Sequence, residues 1–309
     1  MNYSPLLSSI LKGRWAIDPR LVESNRLIID KMLNRGFTSE EGKLLSEVTP
    51  YMYSTPEVDP EDEGPAMEGT SDQNLDDLPP ESTIIITLNG TMLKYGTWCS
   101  YGTTEIAQAL FVKGAHPNIG SVIIDIDSGG GAIDAIAPMV QVIERLKKMG
   151  KSVIALVDLC ASAAYFVASY CHEIIASNDI SAEVGSIGVM CSFRDYSKMN
   201  EMEGITEHVI YSGLSEYKNR PYELAKKGQY NEIRTEELDP LARRFQEAIR
   251  SNRGNKLNEE TPGLLAGKTF FAGDAKQNGL IDQIGDKKLA VQRARDIRQQ
   301  LIVNQYYNI

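Results

Sequence analysis

A serine hydroxyl becomes a useful nucleophile only beside a base that takes its proton and donors that hold the oxyanion it creates. Three short strings in the chain carry residues of those types. Ser162 lies in CASAAYF, where a β-branched run at 153–157 gives way to an apolar helical stretch at 163–170. At such a junction a hydroxyl opens into the crevice that α/β sheets leave beyond their strand ends, with the Ala163 amide behind it. A serine there is equally suited to capping the helix. The second string, DIDSGGGAIDAI, sets three glycines between an apolar strand and an amphipathic helix. Glycines let backbone amides approach a ligand closely, and a helix N-terminus favours developing negative charge. The string lacks the GxxxxGK[ST] pattern of a phosphate loop, and a tight structural turn is its other reading.

The base is harder to place. The histidines are His116, His172 and His208. His172 follows Ser162 by ten residues, on the order of 15 Å along a helix axis and too far for a direct bond. His116 sits in the loop-like GAHPN, and His208 begins an expected strand with no acid evidently placed to orient it. The third string, YSGLSEYKNRPYE, carries Lys218. A lysine serves as base only where burial brings its pKa down from about 10.4; Tyr211, Tyr217 and Tyr222 flank it and could supply part of that burial. Cys160 is a rival nucleophile without a positioned base. Cys99, Cys160, Cys171 and Cys191 form no CxxC pair and no metal-ligand spacing with histidine. They read as reduced, mostly buried thiols, and neither metal nor cofactor is expected.

The elements that must hold these strings alternate. Strands are expected at 83–90, 121–127 and 153–157, in EIIAS and in VGSIGVM. Helices are expected at 132–149, 163–170 and about 235–250. Strand–helix alternation implies an α/β fold with parallel pairing through right-handed crossovers. Upstream, helices are expected at 20–35 and 39–47. Residues 54–82 hold ten Asp and Glu, five Pro and no Lys or Arg. That composition buries no core and reads as a disordered acidic linker. It accounts for the whole net charge of −10, leaving no basic face to suggest a nucleic-acid partner. Asp158 and the polar residues after it interrupt the apolar stretch at 153–171, which argues against a membrane span. The start, MNYSPLLSSILKGR, lacks both the basic lead and the sustained apolar core of a signal peptide.

Taken together, IDSGGG, ASAAYFVAS, VGSIGVM and GKTFFAGDAKQNGLIDQIG stand in the order and approximate spacing of the signal peptide peptidase A family. The chain resembles these serine-lysine peptidases over about residues 83–290. The resemblance implies a Clp protease/crotonase-like spiral of β-β-α units. It carries the nucleophile onto Ser162, the general base onto Lys218, the serine that orients that base onto Ser186, and the oxyanion hole onto Gly130 and the Ala163 amide. Gly129 stands where the family usually has proline, which keeps Gly131 as a second candidate donor, and Ser162-Ala163-Ala164 replaces Ser-Gly-Gly.

The combined expectation is a helical segment over 1–53, the linker over 54–82, a peptidase domain over 83–295 and a tail over 296–309. Without the membrane anchor of the bacterial enzymes, the chain looks like the head maturation proteases of phages and prophages. Such an enzyme would work in the host cytosol or a virion precursor on capsid or scaffold proteins, as a homo-oligomer. A silent assembly protein of the same fold, or a crotonase-type acyl-CoA enzyme, is the alternative.

Overall fold

The structure is a computed structural model that describes residues 14–17, 51–54, 74–96 and 101–307, the first two stretches as backbone strands. The helices expected at 20–35 and 39–47, Cys99 and most of the acidic linker lie outside the described residues. In chain order the strands are β1 (Arg14–Ile17), β2 (Tyr51–Ser54), β3 (Ser82–Asn89), β4 (Ile119–Ser128), β5 (Gly130–Ala132), β6 (Ser152–Ala161), β7 (Glu173–Ala176), β8 (Glu183–Gly185), β9 (Met190–Cys191), β10 (Thr269–Phe271) and β11 (Gln283–Ile284). The α-helices are α1 (Thr103–Gly114), α2 (Ile136–Lys148), α3 (Ala163–Ala168), α4 (Ser197–Met202), α5 (Arg220–Lys226), α6 (Asp239–Arg253), α7 (Ala272–Gln277) and α8 (Lys287–Tyr307).

The architecture is mixed α/β on a parallel sheet, as the alternation of elements implies. The strand order is β10-β8-β6-β4-β3-β2, with β7 and β11 branching from β6. β3, β4 and β6 pair in parallel, while β2 and β10 close the two edges antiparallel. Ile-rich runs form these central strands because both faces are covered. Ile84, Ile86, Val122, Ile124 and Ile126 face a core shared with α1, α2, α3 and α6. Ile85, Ile123, Ile154 and Leu156 face Ala290, Val291 and Ala294 of α8.

β6 is longer than the expected 153–157. Its first half pairs with β7, Ile154 to Val157 against Glu173 to Ala176. Past Asp158 the same edge pairs with β8, Leu159 to Ala161 against Glu183 to Gly185. Changing partners along one edge carries the strand four residues further than its apolar pattern suggests, to Ala161 and so up to Ser162.

Several expected boundaries move. The described part of residues 1–53 consists of two strands. Residues 74–82, assigned to the linker by composition, pack on the domain: Leu78 is buried, and Arg298 grips Glu81 through two bonds of 2.7 and 2.8 Å. Leu78, the Glu81–Arg298 pair and the His116–Asp76 contact hold this segment despite its local excess of charge. The boundary expected at 295/296 falls inside α8, whose small residues cover the sheet and whose Arg293 and Arg298 pair with Glu173 and Glu81. His208 lies in coil, not in a strand.

Candidate active site

Ser162 joins the end of β6 to the start of α3, and its backbone is unusual. Its φ of 56° and ψ of −120° lie in a region that non-glycine residues avoid. Although it occupies the N-cap position, its side chain makes no capping bond. The Oγ instead donates to the Gly188 carbonyl at 3.5 Å, and the residue is only 1% exposed. A serine placed for capping would sit in the β region with its oxygen on an amide of the first turn. The capping reading therefore fails on geometry. The Ser162 N–H is held by the Gly185 carbonyl at 2.8 Å, which fixes the serine against the strand end that leads into Ser186. Ser186 also has a positive φ, 53°, and its N–H donates to the Lys268 carbonyl at 2.9 Å.

The glycine loop reaches the same place through β4, whose Ser128 lies opposite Cys160. Ser128 Oγ donates to the Gly90 carbonyl and accepts the Gly130 N–H at 3.1 Å. Gly130, at φ 93°, bends the chain into β5. One edge of β5 is used by Met92: its N–H donates to Gly130 O, and its carbonyl accepts the Ala132 N–H, both at 2.9 Å. A Cβ at Gly131 would collide with that Met92 carbonyl, so only glycine fits there. Asp127 just before the loop has a carboxyl raised above its usual range by partial burial and by Asp158 and Asp125.

The structure thus gathers Ser162, Ala163, the Ser186 strand end and Gly130–Gly131, but Lys218 does not join them. Lys218 lies in an exposed turn, its N–H bonded to the Ser215 carbonyl at 3.0 Å. Among the described residues its ammonium makes no hydrogen bond to Ser162. Tyr217 beside it is 69% exposed, so the flanking tyrosines do not bury it within one chain.

The histidines are all committed elsewhere or remote. Burial, helped by Lys147, pushes His172 down to about 4, and its Nδ1 accepts the Val153 N–H at 3.0 Å. His116 bridges Asp76 and the Asn118 N–H, and His208 is exposed in coil. Cys160 is fully buried, and burial drives its thiol well up, as it drives Cys171 up to about 12; neither is a thiolate nucleophile. A cavity of about 330 Å³ lined by His172, Glu173, Lys256 and Arg293 lies at the opposite end of β6 from Ser162. Sequence reasoning missed Ser128, Gly188 and Met92, which act through backbone contacts that no local pattern announces.

The sequence profile of Peptidase family S49 matches residues 145–301. The chain belongs to that family. The matched span contains Ser162, Ser186 and Lys218, whereas the glycine loop precedes it. Among curated S49-like relatives, Protease 4 of Haemophilus influenzae is 29% identical over 226 residues, covering 72% of this chain and 35% of that protein. The head-tail preconnector protein GP5 of Enterobacteria phage P21 is 28% identical over 208 residues, covering 67% of this chain and 40% of that one. Capsid assembly protease C of Escherichia phage lambda is 29% identical over 122 residues, or 39% of this chain and 27% of that one. The chain therefore spans well under half the length of each. Among the described residues, no helix is long and apolar enough to cross a membrane.

Proposed function

We propose that this chain is a serine endopeptidase in which Ser162 is the nucleophile and Lys218 the general base. The observation that carries the reading is Ser162 itself: a buried serine in a strained backbone turn, at a helix start it does not cap, beside a loop of backbone amides. Membership of a peptidase family supports it. Ser162 Oγ attacks the scissile carbonyl carbon as its proton passes to the lysine. The C–N bond breaks, the proton goes to the leaving amine, and water hydrolyses the resulting ester. Ser186 orients the lysine. For the oxyanion hole the bonding pattern favours Gly131 with Ala163 over Gly130, because the Gly130 N–H is already spent on Ser128 Oγ. The Ala163 N–H, in the first turn of α3, has no intrahelical acceptor.

A lysine base needs a desolvated site, so this role requires another surface to bury Lys218. Leu214 and Ile210, 98% and 91% exposed, stand with Tyr217 in the same segment and offer an apolar face for a neighbouring copy. The reading is therefore a homo-oligomer in which the lysine of one subunit is sequestered at a boundary and serves a serine there. The names of the two phage relatives favour capsid or scaffold proteins as substrates, with the catalytic domain taking in residues from about 74 through α8.

Casein cleavage by the purified chain beside Ser162→Ala and Lys218→Ala tests the reading. Both variants should be inactive, and mixing them should restore part of the activity if the dyad spans two subunits. Activity in Ser162→Ala would remove that serine from the mechanism. The exposed Lys218 also favours a second reading, a silent assembly protein, which predicts no cleavage by wild type at any oligomeric state.

A further inference from the structure

β5 has two edges, and Met92 occupies one of them through Gly130 O and the Ala132 N–H. Because peptide groups alternate along a strand, the N–H and C=O of Gly131 face the other edge. That edge is taken by β1, which pairs antiparallel with Trp15 opposite Ala132, Ala16 opposite Gly131 and Ile17 opposite Gly130. The far side of β1 pairs with β9, Trp15 opposite Met190 and Arg14 opposite Cys191. These three strands form a sheet of their own in the order β5-β1-β9, apart from the eight-stranded sheet.

Both flanking strands border the nucleophile. β5 follows Ser128, which lies opposite Cys160, and β9 begins two residues after Gly188, the acceptor of the Ser162 hydroxyl. With strands about 4.8 Å apart, β5 and β9 frame a slot one extended chain wide. Pairing with open strand edges is how proteins capture extended peptides irrespective of most side chains. Here the slot beside Ser162 holds a piece of the chain's own N-terminal segment.

The register says which bond is presented. In an antiparallel pair whose peptide groups face each other, the two residues exchange both hydrogen bonds. Ala16 and Gly131 are such a pair, so the Ala16 carbonyl meets the amide favoured above as oxyanion donor. We infer that Arg14–Ile17 binds as the enzyme's first substrate, is cut between Ala16 and Ile17, and keeps the slot closed to other proteins until then. This inference rests on the peptidase reading. Ser162 Oγ bonds to the Ala16 carbonyl carbon, the Ala16–Ile17 C–N bond breaks, and the serine's proton leaves on the Ile17 amine by way of the base. Water then hydrolyses the ester to an Ala16 carboxylate and regenerates the serine.

The test follows the intact mass and N-terminal sequence of the full chain during casein digestion. Wild type should yield a species beginning at Ile17, present at purification or accumulating with time, while Ser162→Ala keeps its original N-terminus. Any lag in casein cleavage should end as that species forms. Ala16→Pro removes the N–H that faces the Gly131 carbonyl and so should bind the slot poorly. This variant should give no Ile17 species and cleave casein without a lag. Casein cleavage by a wild type whose N-terminus stays intact, or is cut only elsewhere, overturns the inference and leaves the peptidase reading standing. Failure of wild type to cut either itself or casein overturns both.

Discussion

Ser162 can be replaced in two ways that both remove the hydroxyl but treat the backbone differently, and their comparison isolates the strain at the nucleophile. At φ 56°, ψ −120° a side-chain Cβ is crowded by the chain, whereas glycine adopts the conformation freely. Holding a non-glycine residue in such a region costs about 1–3 kcal/mol. Ser162→Ala keeps the Cβ and the strain, and loses only a long hydrogen bond of 3.5 Å. Ser162→Gly relieves the strain but adds about 0.5–1 kcal/mol of unfolded-state entropy. The glycine variant should therefore exceed the alanine variant by about 1–2 kcal/mol, or about 2–8 °C in Tm for a domain of this size. Urea unfolding with equal m-values for the two variants measures the difference, and both should be inactive. A glycine variant no more stable than the alanine variant would refute the strain and with it the argument that function holds Ser162 in this turn.

Gly131→Ala drives a Cβ into the Met92 carbonyl and shifts the strand that carries the favoured oxyanion amide. Turnover should fall about 10²–10³-fold, with most of the loss in kcat. Arg253, almost fully buried, holds Asp282 through bonds of 2.8 and 3.0 Å, and Asp282 in turn accepts the Ile174 N–H. Arg253→Ala should cost about 3 kcal/mol in chemical denaturation, near the low end for a broken buried pair because Lys256 still contacts the carboxylate. His172, held down to about 4 in the fold, takes up a proton in the unfolded chain first. Its contribution to stability is complete above pH ~6.5 and is lost as pH falls toward 4, on the order of 1–2 kcal/mol given the ring's partial exposure. His172→Gln should flatten stability across that window; an unchanged slope would place the effect on other groups. Asp282, which its arginine and lysine partners hold below the usual carboxylate range against the opposing effect of burial, loses its contribution at lower pH still.

The central strands were readable because Ile-rich runs buried on both faces leave a continuous apolar signal, as in 83–90 and 121–127. Helix α2 was readable from its periodicity, although it starts only at Ile136 because Ile133–Ala135 make a tight 3-10 turn. Asp158 obscured the true length of β6, since a charge in an apolar strand reads as its end unless the partner changes there. The junction at Ser162 was visible in sequence, but the positive φ that separates it from a cap was not. β1 gave no readable signal: four residues, too few to show a strand period, pair with strand edges more than a hundred positions away. The exposure of Lys218 was equally hidden, because neighbouring tyrosines do not reveal which way a turn faces.

The central claim is that Ser162 is the nucleophile, and covalent labelling tests it most directly. The full chain is treated with a fluorophosphonate serine probe, with and without excess casein, and the adduct is located by tandem mass spectrometry. The expected result is one adduct per active subunit, on Ser162, slowed by casein and absent in Ser162→Ala. Labelling of Ser186 or another serine with Ser162 unmodified, in a preparation that cleaves casein, would contradict the claim.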